Sequence, residues 1–331
     1  MNDAVKEPCG VLVIDKPAGW TSFDVIGKLR RLYGTKKIGH TGTLDPDATG
    51  VLVVLVGRAA KAAEYITVHD KSYRAVLRLG ITTDTEDTSG RVLTQFAGEL
   101  PGPDAVRDAV AGFTGEIMQV PPMYSALKVG GRKLCDIARS GGTVERTARP
   151  VTVYSADTAP IPGTLCDHIL NVSCSSGTYI RTLCADIGAA LGCGGAMAEL
   201  RRLSGGGYTL DDASTLEEIE AMSSEERVAA LLPVESLFLD LPAVKLPAFF
   251  ERLFRSGCEI YQRKLGTTLP DGARVRVCRA DSSFFALGEV SEYPGGSAVK
   301  SVKLFEVYRV RKKSKNSHRA SRDATFFLRP R

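Results

Sequence analysis

Gly39-His40-Thr41-Gly42-Thr43-Leu44-Asp45-Pro46-Asp47-Ala48-Thr49-Gly50 decides how this 331-residue chain reads. Its glycines at 39, 42 and 50 permit backbone conformations closed to other residues. Pro46 disfavours helical backbone at Asp45. The product is a stiff loop that aims one carboxylate in a fixed direction. By composition alone the same stretch is a turn, since Asp-Pro and Gly/Thr clusters mark turns generally.

Outward from the loop the chain alternates short strands and helices. Val51–Val56 is continuously apolar and reads as a buried strand. Upstream, Val11–Ile14 is a short strand. A helix follows, capped by Thr21 or Ser22, stopped at Gly34, with Val25, Ile26, Leu29 and Leu32 on one face. Downstream, 58–68 is Ala-rich and reads as a helix. Tyr73, Ala75, Leu77 and Leu79 then alternate with Arg74, Val76 and Arg78 in the period of a half-exposed strand. Residues 81–90 read as an acidic loop and 104–113 as a helix. Residues 118–147 form a basic excursion rich in Gly and Pro. Strands are expected at 151–154 and 168–174, a strand or tight turn leading into a helix over 179–191, and helical pieces at 216–222 and 227–232.

Prolines 233, 242 and 247 mark a linker. Beyond it, a short helix and β-rich stretches at 274–278, 284–290 and 302–310 suggest a small independent module. Without regular βαβ alternation the chain predicts an α+β fold with a mixed, mainly antiparallel sheet. Its domains are expected at 1–237, with 118–147 as an insertion, and at 238–310. A basic, flexible tail over 311–331 completes the chain.

Net charge is +5, from 43 Lys+Arg against 38 Asp+Glu, which permits a polyanionic partner without demanding one. The eight cysteines form no CxxC pair and have no His at zinc spacing, which argues against a structural zinc. The run Asp84-Thr85-Glu86-Asp87 lacks Ca²⁺-loop spacing and reads as structural. No Walker or Rossmann motif calls for a nucleotide cofactor. Neither a signal peptide nor a membrane-length apolar run is present, so the expectation is a cytoplasmic protein with reduced thiols and no membrane partner.

Taken as a whole string, residues 39–50 resemble the catalytic loop of the TruB family of pseudouridine synthases, GHTGxLDPxATG, at every fixed position. The resemblance runs through most of residues 10–210. It includes GVLVIDKP (Gly10–Pro17), KSY (Lys71–Tyr73), PMYSALKVGGRKLCDIAR (Pro122–Arg139), GTYIRT (Gly177–Thr182) and LRR (Leu200–Arg202). It implies the pseudouridine synthase fold with a PUA-like C-terminal domain. It also implies an enzyme that isomerises uridine 55 in the T-loop of tRNA to pseudouridine after base flipping. Substrate and product are isomers, so no cofactor or metal is implied.

By the same resemblance Asp45 is the nucleophile, attacking the base or C1′ of the sugar. Tyr73 stacks on the flipped base and is a candidate general base. Arg181 pairs with Asp45. On extended backbone Tyr179 and Arg181 share a face. Leu200 contacts the base, and His40 opens the RNA fold. Lys16 is a family lysine near the active-site loops, counted with the substrate-binding set though with a structural part. Lys128, Arg132, Lys133 and Arg139 in the insertion contact RNA phosphates. Cys135 and Ile137 stand where the family carries aromatics, so stacking there is lost. The implied partner is tRNA, through its T-stem-loop and acceptor arm, bound by a monomer. Three other readings stay open: an RNA chaperone that refolds tRNA, with modification secondary; the same chemistry on another RNA; and, most distantly, a carboxylate-based hydrolase built on Asp45 and Asp47.

Overall fold

The computed structural model describes residues 7–66, 70–125 and 127–305. The basic tail expected over 311–331 lies outside the described residues. Seven strands form the spine of the main sheet: β1 (Gly10–Lys16), β2 (Thr49–Val56), β3 (Lys71–Leu79), β4 (Gly115–Gln119), β5 (Arg149–Pro160), β6 (Asp167–Cys174) and β7 (Gly195–Gly205). Their order is β1-β2-β7-β3-β6-β5-β4. The neighbours along it run antiparallel except β2 and β7, which pair in parallel. The sheet is mixed and mainly antiparallel, as predicted.

Two apolar clusters clothe this sheet. In one, Val25, Ile26 and Leu29 of helix α1 (Ser22–Leu32) meet Leu12, Ile14, Leu52, Val54 and Val56. Thr21 caps α1, and Asp24 returns the bond to the Thr21 backbone, the reciprocal arrangement that satisfies two free amide donors. In the other, Tyr73, Ala75, Leu77 and Leu79 of β3 meet α2 (Pro103–Ala111) through Val106 and Val110. They also meet α4 (Ile180–Ala190) through Leu183, Cys184 and Ile187. Each fully buried Leu or Ile here contributes about 1.5–3 kcal/mol. This packing sets the start of α4 beside the strand that carries Tyr73.

Several boundaries differ from the sequence expectation, each for a local reason. The helix expected from 58 is a 3₁₀ segment, Gly57–Ala62, without a side-chain cap. The loop at 81–90 is the tip of a hairpin whose arms are Ile81–Thr83 and Val92–Gln95. β5 is twelve residues long and runs well beyond residue 154. The helix expected at 227–232 begins earlier, at Ser224, because Ser223 and Glu226 form a capping box. Central strand β7 had no counterpart in the sequence reading. Two bulges, between Met197 and Glu199 and between Arg202 and Ser204, break its alternation. The 118–147 insertion holds a hairpin (Lys128–Val129 with Arg132–Lys133) and helix α3 (Leu134–Arg139). Gly130 and Gly131 both have positive φ, as a two-residue hairpin turn demands.

The described residues divide into two compact units: one running up to Val244 and taking in Arg274–Arg276, the other holding Lys245–Ala273 and the described residues from Val277 on. Leu237 and Phe238 are buried. A second, five-stranded sheet runs from Ala243 to Leu304, with helix α5 (Ala248–Arg255). Phe254 of α5 packs edge-on against Phe285 in its core. This is the small β-rich module expected from the sequence. No helix among the described residues is long and apolar enough to cross a membrane.

Candidate active site

Three buried polar side chains fix the loop that carries Asp45. The Lys16 ammonium, with no exposed surface, donates to the carbonyls of Pro17 (2.9 Å), Trp20 (2.5 Å) and Pro46 (2.8 Å). Burial pushes it down to about 8, while Asp47 and Asp45 oppose the shift. The Ser22 hydroxyl, at the start of α1, both accepts from Leu44 N (2.9 Å) and donates to Leu44 O (3.0 Å). Arg202, on β7, donates to the carbonyls of Gly42, Thr43 and Val51. β7 comes this close because Gly50 has no side chain. A Cβ there would lie 2.2 Å from Arg202 O, and its φ of +100° suits glycine. The loop around Asp45 is thereby tied to β1, α1 and β7 at once.

Arg181 approaches Asp45 from the first turn of α4. Its Nε lies 3.0 Å from Asp45 Oδ2 and its Nη2 lies 3.5 Å from Oδ1. The guanidinium is spent on further partners: Tyr124 O at 2.9 Å, Thr85 O at 3.1 Å and Asp87 Oδ2 at 3.8 Å. Its side chain is 7% exposed against 40% for Asp45, so the carboxylate is the reachable member of the pair. Burial pushes the Asp45 carboxyl above its ordinary range; Arg181 and Lys16 oppose this, and Asp87 and Asp47 add to it. The acidic loop read as structural serves this arrangement. Asp87 faces Arg181, and Glu86 accepts from Thr182 Oγ at 2.5 Å.

Asp45, Tyr73, Tyr179, Arg181 and Leu200 line one cavity of about 270 Å³. A larger hollow of about 780 Å³ opens beyond Asp45 over Asp47, Arg74 and Glu199. It touches neither Tyr73 nor Arg181, so the constellation belongs to the smaller one. Tyr73 is 7% exposed and stands beside Arg202. Burial holds its phenol above the ordinary range, protonated at neutral pH.

Other candidates fall elsewhere. Lys16 lines neither of these two cavities, and its buried ammonium donates to three carbonyls, which is the structural part of its assignment, a brace for the Asp45 loop. Tyr179 and Arg181 are not on one face of an extended segment. Tyr179 caps α4 and Arg181 is helical, and the turn of the helix brings both to the cavity. His40 ends a short strand, Ile38–His40, beside Val54, and it does not line the cavity. Burial and the Arg202 charge lower its pKa, and its buried Nδ1 has no partner among the described residues. Lys128, Arg132, Lys133 and Arg139 are exposed on the insertion, with no ion pair among the described residues. Cys135 and Ile137 are half-buried there.

The role of Arg202 as a brace is not evident from its place in the LRR stretch. Nor is that of Gln119, whose buried amide bonds Tyr179 N and O at 2.7 and 3.0 Å and fixes the entry to α4. A lone Gln or Ser carries no spacing signal, so neither Gln119 nor Ser22 could be found that way.

Residues 30–180 match the model of the TruB family pseudouridylate synthase N-terminal domain. Residues 181–239 match that of the tRNA pseudouridylate synthase B C-terminal domain. The chain is 45% identical over 295 residues to tRNA pseudouridine synthase B of Ralstonia pickettii, covering 87% of this chain and 91% of that one. The enzyme of the same name from Aromatoleum aromaticum is 43% identical over 281 residues, covering 85% and 88%. Among solved structures, a Cbf5-Nop10-Gar1 complex contains a chain that is 26% identical with a TM-score of 0.67, covering 90% of this chain and 85% of that one. An archaeal box H/ACA Nop10-Cbf5 complex gives 26% and 0.66, covering 91% and 87%. The pseudouridine synthase fold and the PUA-like second unit follow from these matches. With Asp45 held by a buried guanidinium on the wall of one cavity, and with relatives at 43–45% identity matching over most of its length, this chain belongs to the TruB family of pseudouridylate synthases.

Proposed function

We propose that the protein converts uridine 55 in the T-loop of tRNA to pseudouridine, with Asp45 as nucleophile. The observation that carries this is the Asp45 carboxylate held by Arg181 at 3.0 and 3.5 Å on the wall of the cavity that Tyr73 also lines. The names of the relatives at 43–45% identity support tRNA as the substrate. They favour it over the other-RNA reading, and the complete constellation speaks against a purely chaperoning role.

The target uridine leaves the RNA stack, at a cost of a few kcal/mol, and enters the cavity. Tyr73 and Leu200 bracket its base. Arg181 keeps Asp45 ionised against the burial that would protonate it, and points one oxygen at the nucleotide. Attack forms a bond from Asp45, the glycosidic C1′–N1 bond breaks, the uracil turns and C5 bonds to C1′; the bond to Asp45 breaks and returns the free carboxylate, while C5 loses a proton and N1 gains one. Nothing is oxidised or reduced. His40, with a neutral imidazole, fills space in the opened RNA loop. The exposed cations of the 128–139 insertion hold phosphates of the T-stem-loop. The C-terminal module adds contact with the acceptor arm, and the protein acts as a monomer.

The test is tritium release from C5-labelled uridine in a T-stem-loop RNA. Wild type should release tritium, and Asp45→Asn should release none while binding the RNA equally. No release by wild type from any tRNA, despite tight binding, overturns the proposal.

A further inference from the structure

Two cations flank the cavity without a carboxylate between them. Lys71, the first residue of β3, lines the cavity and donates to Ser176 Oγ at 3.0 Å. Arg202, 3% exposed, spends its guanidinium on backbone carbonyls. Neither makes an ion pair among the described residues. Asp45 is the one carboxylate lining the cavity among the described residues, and Arg181 holds it. Asp70, next to Lys71 in the chain, is exposed and accepts from the Tyr154 hydroxyl at 2.8 Å.

Gly42 locates the gap. A Cβ at Gly42 would lie 3.5 Å from Arg202 Nη1 and 3.9 Å from Lys71 Cε. The glycine therefore leaves a notch in the cavity wall, one spot without a side chain that lies within van der Waals reach of both Arg202 Nη1 and Lys71 Cε. Burial and the Arg202 charge both push the Lys71 ammonium below its ordinary range. Two like charges, one buried and one half-buried, are relieved by an anion placed beside both.

We propose that the Gly42–Lys71–Arg202 notch seats a phosphate flanking the target nucleotide, with Lys71 donating to it directly and Arg202 adding charge from behind. The inference rests on reading the cavity as the nucleotide site. It makes the site selective for a nucleotide within a chain over a free nucleoside, and it sets the sugar at a defined depth beside Asp45. A phosphate contact made inside the cavity differs from those of the exposed insertion, because it acts on the reacting residue itself.

The test pairs Lys71→Met with RNA carrying a neutral methylphosphonate on the 5′ or the 3′ side of the target uridine, one side at a time. The readout is kcat/KM for tritium release. On one of the two sides, neutralisation should cost wild type roughly tenfold or more, the scale of a charge-assisted hydrogen bond. Lys71→Met should lose a similar factor on unmodified RNA and nothing further on that modified RNA. Lys71→Arg should recover most of the loss. Wild type indifferent to both neutral linkages overturns the inference, as does a Lys71→Met loss that multiplies with the loss from the linkage. Should Lys71→Met fail to fold by circular dichroism, the wild-type comparison decides alone. Absence of release by wild type from unmodified RNA would sink the reading of the cavity itself. Release that ignores the linkage sinks only the phosphate site.

Discussion

Arg181→Lys separates the charge at the centre of the site from its geometry. The native guanidinium meets both Asp45 oxygens, at 3.0 and 3.5 Å, and donates to Tyr124 O and Thr85 O. A lysine carries one nitrogen on a flexible stem and cannot span partners from three loops. Two carbonyls lose their donor, at about 1 kcal/mol each, so a destabilisation of roughly 2 kcal/mol is expected. Asp45 keeps a counter-charge but loses its aim. Removing a preorganised polar contact at a reacting group costs roughly 10²–10³-fold in rate. With the charge retained, the lower end, about a hundredfold in kcat or ~2.7 kcal/mol, is expected. The assay is single-turnover tritium release at saturating RNA, with RNA binding and a urea melt in parallel. Binding should hold, because the Arg181 side chain is only 7% exposed. A lysine variant within about threefold of wild type, well short of the hundredfold set by lost aim, would refute the reasoning. Charge alone would then suffice.

Three further outcomes follow from the same geometry. Burial raises the Asp45 carboxyl and Arg181 is the largest force opposing it. The rate should therefore fall as pH drops through the raised value, and Arg181→Met should move that acidic limb to higher pH; a limb that stays in place contradicts the assignment. Lys16→Met strips donors from three carbonyls, so it should cost about 3 kcal/mol in a denaturant melt. It should lower kcat more than RNA affinity, and a neutral result would show that the brace is dispensable. Replacing Lys128, Arg132, Lys133 and Arg139 by Ala should leave stability within about 0.5 kcal/mol, since all four are exposed and unpaired among the described residues. The slope of RNA affinity against salt should flatten by about 0.7–0.9 for each phosphate that is no longer neutralised, and an unchanged slope removes these residues from the interface.

The parts of the fold that follow from regular patterning were legible. The α1 cap, the continuous apolar run of β2 and the alternation in β3 each predict an observed element. β7 was not legible, because its two bulges and its charged residues Glu199, Arg201 and Arg202 erase the period of two. Asp45, Tyr73, Tyr179, Arg181 and Leu200 were reached through motif resemblance, and the fold brings all five to one cavity. The residues that hold them were invisible. Gln119 acts through two backbone bonds, Ser22 through two more, and Gly50 through a missing Cβ. Such roles depend on which distant segment arrives nearby, and no local spacing encodes that. Lys16 shows the reverse case, a conspicuous cation whose charge is consumed by its own loop.

The knot of bonds at Arg181 has a kinetic meaning. Its partners Asp45, Thr85 and Tyr124 lie 136, 96 and 57 positions away along the chain. Closing loops of that length is slow and entropically unfavourable until the intervening strands have paired. These separations predict that the guanidinium finds its partners late in folding, after β2, β3 and α4 have docked. Local opening runs the same sequence backwards. Mild heat or denaturant should extinguish turnover while far-ultraviolet circular dichroism is still near native, so that catalysis reports on the completeness of the fold and a partly folded chain stays chemically silent.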